Sequence, residues 1–512
     1  MNQKRVILQG AFVLTIVGFV SRIIGFFYRI FLSHAIGAEG VGIYQLIFPV
    51  YTMAFSLTAA GIQTAISKNV SEKMALDDKK GARNTFFAGL ILTTCGTLFV
   101  SLFLYHGAGW ISSAFLKETR CEPLVRMLAF ALPFAGIHSC VGGYYFGLKK
   151  THVPAISQLV EQAARVSASY LVYIIFLEKG IRPTPVLAVI GLIFEELASA
   201  LFSLTAAALH FGKTKISSLA SKSSLPFTGI LKISLPLTAN RLLINLLLSV
   251  EAICIPLRLQ LAGLSVSSAL SIYGVLTGMA LPLVLFPSAI TNSISVMLLP
   301  TVSEAQAAGS QRQISRTLEN TIQYCLILGI LCTGIFLCFG ESMGRVLFAS
   351  SLAGKFILIL AWICPFLYLG TTLTSILNGM GKAVTTFWQN TVSLLIRILF
   401  VWFAIPRFGV AGYLWGILVS QLLSAALALF VLSRHVPFHF DSLGWIVKPL
   451  AALSVSVGIM LFFRSCLLYI PWKILPVLEM FLSILILCAV YIGIMFFSQI
   501  YILLRGRGII KA

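Results

Sequence analysis

The sequence predicts an all-α polytopic membrane protein of about fourteen transmembrane helices, built as two parallel six-helix lobes followed by two further helices. Composition is the first ground: of 512 residues, 58% are hydrophobic and 10% charged, with a mean hydropathy of +0.97, against about 25% charged residues in soluble domains. The second is that apolar runs of about 20 residues, the length that crosses a bilayer core, recur from Gly10 to Leu504. The third is an internal repeat at constant spacing. Together they exclude a soluble enzyme and a β-barrel, because the alternating pattern of barrel strands is absent.

Charged and Pro/Gly-rich breaks place spans at residues 10–33, 41–66, 84–106, 122–147, 153–177, 184–210, 227–251, 269–300, 318–340, 354–379, 383–404, 411–434, 444–466 and 474–504. The first run follows Lys4 and Arg5 as a signal peptide would, but no small-residue cleavage site ends it and Arg22 interrupts it, so it reads as a retained span. Gly37-Ala38-Glu39-Gly40-Val41-Gly42 reads as a tight loop between the first two spans. Residues 211–226 are basic and Ser-rich, which makes them a linker between an N-lobe (1–210) and a C-lobe (227–434), with residues 435–512 as two added helices and a basic tail.

The repeat supports that division. Val70-Ser71-Glu72 recurs as Val302-Ser303-Glu304, and Pro133-Phe134 as Pro365-Phe366, both at an offset of 232. Thr85 and Thr317, Gly147 and Gly379, Lys150 and Lys382, and Arg165 and Arg397 pair at the same offset without a gap. Ile43-Tyr44 pairs with Ile272-Tyr273 at 229, one short indel away. Six spans separate the copies, so both run the same way through the membrane, and parallel repeats of this kind place a transport site between the halves near the midplane.

A net charge of +21 would point to nucleic acid in a soluble chain, but here the basic residues are scattered through short loops. About 20 Lys and Arg fall on the side of the N-terminus and about 10 opposite, which puts both termini in the cytoplasm. The cysteines lie mostly in spans without metal-ligand spacing and read as small apolar fillers, and no cofactor or metal is expected. Gly379-Met380-Gly381-Lys382 resembles a P-loop fragment, but Ala383 stands where a Ser or Thr is needed.

The residues that carry function are the charges inside the spans, where an ionised side chain costs at least about 2.5–3.5 kcal/mol and must snorkel, pair or line a wet cavity. Arg22 and Arg29 are seven residues apart, two helical turns or about 10 Å on one face. Their planar, permanently charged forks suit the gripping of two phosphates. Arg241 occupies in the seventh span the place that Arg22 holds in the first, with Asn245 and Glu251 following. Arg397 has no acid within one turn and needs an anion or an interhelical carboxylate, for which Glu195 and Glu196 are candidates, as they are for a coupling cation. Arg165 has Glu161 one turn before it, the favoured order for an i, i+4 pair. Lys232 and Arg126 read as snorkelling, and the histidines, His138 among them, as interfacial.

Ser21-Arg22-Ile23-Ile24-Gly25-Phe26-Phe27-Tyr28-Arg29 with Ile36-Gly37-Ala38-Glu39-Gly40-Val41-Gly42-Ile43-Tyr44 resembles the opening of the stage V sporulation protein B family. Ala65 to Glu72, Gly143-Tyr144, Ser157-Gln158, Glu161-Gln162 and Glu196 to Ser199 extend the resemblance. That family belongs to the multidrug/oligosaccharidyl-lipid/polysaccharide exporter superfamily, alongside MurJ-type lipid II flippases. The resemblance implies a MATE/MurJ-like fold and a flippase, not an enzyme. Its cargo would be an undecaprenyl-pyrophosphate-linked saccharide, a peptidoglycan precursor serving the spore cortex, with cell-wall synthesis enzymes as partners in the cytoplasmic membrane. MurJ-type proteins open with S-R-x-x-G-F-x-R-D, onto which Ser21, Arg22, Gly25 and Phe26 map; Arg29 falls one residue late and Ile30 replaces the acid. Two other classes fit the sequence less well. A MATE-type small-molecule antiporter is disfavoured by the excess of intramembrane Arg over Glu, and an envelope-synthesis glycosyltransferase or scaffold by the short, acid-poor outer loops.

Overall fold

The computed structural model describes residues 3–212, 226–467 and 476–506, with side chains described over 13–212, 226–465 and 476–496. The expected linker at 211–226 lies, except for its ends, outside the described residues, as does the tail beyond residue 506. Among the described residues the chain is helical, without a strand. The helices are α1 (residues 3–36), α2 (38–75), α3 (Lys79–Phe115), α4 (119–147), α5 (His152–Glu178), α6 (Val186–Phe211), α7 (Phe227–Leu261), α8 (266–307), α9 (Gln311–Phe348), α10 (Ser351–Gly379), α11 (Ala383–Phe403), α12 (Val410–Ser433), α13 (Leu443–Ser465) and α14 (Pro476–Phe496).

Among the described residues, by length and composition, twelve stretches qualify as membrane spans, thirteen when the two segments of α4, bent by 44°, count as one. The first of them, Val13–Ala75, is 63 residues long. A straight helix of that length would measure about 95 Å, so it holds two crossings, α1 and α2. The loop expected at 37–42 is in fact one residue. Gly37 has φ 68 and ψ 175 and is flanked by helix on both sides, a reversal open to a residue without a Cβ.

Packing follows the solvent. Along α3, Leu98, Phe99, Leu102 and Phe103 are exposed, while Thr93 and Thr97 are buried with 0% exposure. The Thr97 hydroxyl donates to the Thr93 carbonyl at 2.8 Å, so it brings no unsatisfied donor inside. Apolar side chains facing outward and small polar ones facing inward are what a hydrocarbon solvent selects.

The sequence repeat is also a repeat of backbone hydrogen bonds. After α2, the N–H groups of Leu76, Asp77 and Asp78 donate to the carbonyls of Glu72, Met74 and Lys73; after α8, Ala308, Gly309 and Ser310 donate to Glu304, Gln306 and Ala305. Asp77 and Gly309 both take positive φ, 54 and 65. The ends of α4 and α10 match in the same way, Lys150 donating to Tyr145 and Lys382 to Leu377. A Cβ on Gly147 would meet Val70 and the Ser67 carbonyl, and one on Gly379 would meet Val302 and the Leu299 carbonyl. Each of these correspondences keeps the 232 offset.

By compactness the chain divides into residues 1–278 with 401–407, and residues 279–400 with 408–512. Within the first unit α2 meets α8 backbone to backbone. A Cβ on Gly42 would lie 2.1 Å from the Leu270 oxygen, and one on Gly274 would lie 2.1 Å from the Ala38 oxygen. Small residues permit such approach between membrane helices, where packing rather than hydrophobic expulsion drives association. Gly274→Val is expected to lower stability by about 1–3 kcal/mol through overpacking, read as chemical denaturation in detergent. Gly229→Ala, where a Cβ meets nothing within 4 Å, should leave stability unchanged or slightly higher.

Candidate functional site

The basic residues of the spans fall into two groups. On α1, Ser21 and Tyr28 are buried, whereas Arg22 and Arg29 project from the other face and remain accessible. Among the described residues neither arginine makes an ion pair or a side-chain hydrogen bond; Arg29 has the Tyr44 phenol and the Arg165 guanidinium within electrostatic reach. Arg241 on α7 is likewise accessible, and its Nη2 lies 3.4 Å from Thr64 Oγ1. One turn further, Asn245 donates to Ser56 Oγ at 2.7 Å. Glu251 is 3% exposed and lies near the Tyr273 phenol.

The second group is held by carboxylates. Arg126, expected to snorkel, instead pairs with Glu122 at 2.7 Å, one turn earlier on the same helix. Arg165 does not take Glu161. Its Nη1 lies 3.2 Å from Glu195 Oε2 on α6, its Nη2 donates to Gln162, and its guanidinium sits 5.0 Å from the centre of the Tyr28 ring. Tyr28 is fixed in turn by Ser169 at 2.9 Å. An interhelical carboxylate wins over the i, i+4 partner because Glu161 is engaged elsewhere.

What engages Glu161 is His138 on α4, which sequence reasoning placed at an interface. His138 Nδ1 lies 3.1 Å from Glu161 Oε1 and its Nε2 lies 3.1 Å from Glu196 Oε2. Ser199 donates to Glu161 at 2.7 Å and lies 2.9 Å from His138 Nδ1. Ser157 is 2.8 Å from Ser199, and the Tyr51 hydroxyl donates to Glu196 Oε1. Helices α2, α4, α5 and α6 thus meet on one polar cluster. The signal present in the sequence was a polar stripe at helical spacing, Ser157, Glu161 and Arg165 on α5 and Glu195 and Ser199 on α6.

Glu195 and Glu196 are each 8% exposed, and both are engaged inside the first unit, Glu195 with Arg165 and Glu196 with His138 and Tyr51. Arg397 belongs to the second unit, is half-buried, and donates from Nη2 to the Tyr413 hydroxyl at 3.3 Å.

A family model for polysaccharide biosynthesis proteins matches residues 7–306. The chain belongs to the polysaccharide biosynthesis protein family. Among its relatives, stage V sporulation protein B of Bacillus subtilis (strain 168) is 29% identical over 441 residues, 85% of each chain. Lipid II flippase MurJ of the same organism is 25% identical over 483 residues, 88% of this chain and 87% of that one. The solved structure of a lipid II flippase MurJ in an inward closed conformation superimposes with a TM-score of 0.69 at 15% identity, covering 96% of this chain and 100% of the other. The fold is therefore MurJ-like, and this member of the polysaccharide biosynthesis protein family is a multi-pass membrane protein.

The Arg165–Glu195 pair has a testable weight. Removing one partner strands a buried charge, at a cost of about 3–5 kcal/mol, whereas removing both costs less. Arg165→Met and Glu195→Gln are each expected to lower stability by about that amount, with the double variant well short of the sum in a double-mutant cycle.

Proposed function

We propose that the chain flips an undecaprenyl-pyrophosphate-linked saccharide, a peptidoglycan precursor of the lipid II kind, from the cytoplasmic to the outer leaflet by alternating access. The carrying observation is the contrast between its arginines. Arg120, Arg126, Arg165, Arg345 and Arg464 hold carboxylates at 2.7 to 3.2 Å. Arg22 and Arg29, inside an apolar helix, hold none among the described residues and remain accessible. A guanidinium kept in a span without an internal counterion is matched to an external anion, and a pyrophosphate brings two or more negative charges that must cross hydrocarbon.

In this proposal Arg22, Arg29 and Arg241 grip the pyrophosphate while the lipid tail stays in the bilayer. Arg397 serves in the C-lobe, residues 227–434. The N-lobe is residues 1–210, both termini are cytoplasmic, and residues 435–512 form an appended helix pair. The names of the relatives, a lipid II flippase and a sporulation protein, support the cargo class and a sporulation role; service to the spore cortex and cell-wall synthesis enzymes as partners are further parts of the proposal.

The test is the leaflet accessibility of labelled lipid II in liposomes containing the purified protein. Each guanidinium that binds phosphate contributes about 1.5–3 kcal/mol, so Arg22→Ala and Arg241→Ala are each expected to slow exposure about tenfold or more. Neither should change the melting temperature, since both side chains are accessible. Wild-type rates from a folded double variant would remove the arginines from the mechanism, and exposure only of a different undecaprenyl-linked glycan would reassign the cargo.

A further inference from the structure

The cluster around His138 holds more negative charge than its own cations neutralise. Three carboxylates, Glu161, Glu195 and Glu196, meet one guanidinium, Arg165, and one imidazole, His138. With the side chains of its five members only 11% to 20% exposed, it has little water to screen the imbalance.

The hydrogen bonds locate the protons. Ser199 gives its one hydroxyl proton to Glu161 at 2.7 Å, so the 2.9 Å contact with His138 Nδ1 has Nδ1 as donor. In a neutral imidazole Nε2 would then present its lone pair to Glu196 Oε2 at 3.1 Å. Two acceptors facing each other at that distance repel, so a second proton lies between them. Tyr51 already donates to the other oxygen of Glu196. Glu195 Oε2 and Glu196 Oε2 are buried, and beyond Arg165 Nη1 and His138 Nε2, which face them at 3.2 and 3.1 Å, neither has a hydrogen-bond partner among the described residues. The groups facing the cluster from neighbouring helices are the Tyr28, Tyr44 and Tyr51 phenols and Arg29 of α1 and α2. The remaining charged pair on α4, Glu122 with Arg126, is an accessible pair of its own.

We propose that His138, Glu161 and Glu196 form a site that binds and releases one proton, held between His138 Nε2 and Glu196 Oε2. The ligand is a proton rather than a metal cation: among the described residues no group of three His, Cys, Asp or Glu is arranged to hold a metal ion, and the hydroxyls of Tyr51 and Ser199 point their protons at the carboxylates. Release leaves the cluster with one more negative charge, which is tolerable only when water or a cation reaches it, so the protonation state follows the access state of the first unit. The proton site stands on this geometry; its coupling to lipid movement rests on the flippase reading.

The test uses the full chain in lipid nanodiscs, with infrared difference spectra recorded as pH is stepped and protons counted potentiometrically. Wild type is expected to show the carbonyl stretch of a buried neutral carboxylic acid, shifted by carbon-13 glutamate labelling, and to take up about one proton more than Glu196→Gln or His138→Gln across the range in which His and buried carboxylates titrate. Glu341→Gln, which removes an accessible carboxylate paired with Arg345, should leave that band unchanged. A purely structural cluster would lower the stability of the variants and leave proton uptake as in wild type, which would overturn the proposal. So would the absence of the band in labelled wild type, a reading that needs no variant to fold, or its abolition by sodium at fixed pH. Proton uptake without lipid flipping would leave this site standing and remove the transport reading instead.

Discussion

Burying ionised groups inside a bundle surrounded by hydrocarbon is the constraint on which the rest of this molecule rests. Water is not at hand to satisfy a stray charge, so every guanidinium or carboxylate away from the ends must find a partner on another helix or open onto a wet space. Arg165 and His138 show the first solution. With Tyr28, Tyr51, Glu161, Glu195 and Glu196 they bring five helices, α1, α2, α4, α5 and α6, to one place. Such a cluster ties helix orientation together more tightly than interchangeable leucines could, because each donor has few acceptable acceptors.

In the proposed reading Arg22, Arg29 and Arg241 are the second solution, since they remain accessible and hold no carboxylate among the described residues, and the division between the two groups is what the functional proposal rests on. Sequence alone lists all of these arginines as anomalies of the same kind. Only the fold separates those whose charge is spent inside the protein from those left to meet something else.

The spans were legible because hydropathy reports directly on the solvent a helix faces, and the fourteen segments begin and end within ten residues of where composition placed them. The Gly37 reversal was not, since a loop and a single residue of positive φ leave the same glycine-rich trace. The repeat was legible in full because the residues that survive in both copies, Gly147 and Gly379 or Val70 and Val302, are those whose size is fixed by a backbone contact. Arg165 was assigned the wrong acid because local spacing is visible in a sequence and interhelical distance is not. His138 was passed over for the same reason: its two carboxylates lie on other helices, 23 and 58 positions further along the chain. Whether a histidine is interfacial or central depends on depth, which an apolar flank does not encode.

The turn equivalence carries an evolutionary consequence. Two copies that still cap their helices with the same hydrogen bonds no longer carry the same chemistry: at the 232 offset His138 is answered by Gly370, and Glu161 by Ser393. Duplication preserved the joints, where a change of one residue disturbs the backbone, and let the interior drift apart. The present chain thus repeats its joints and not its interior: one ancestral copy kept or acquired the titratable cluster and its twin was free to specialise.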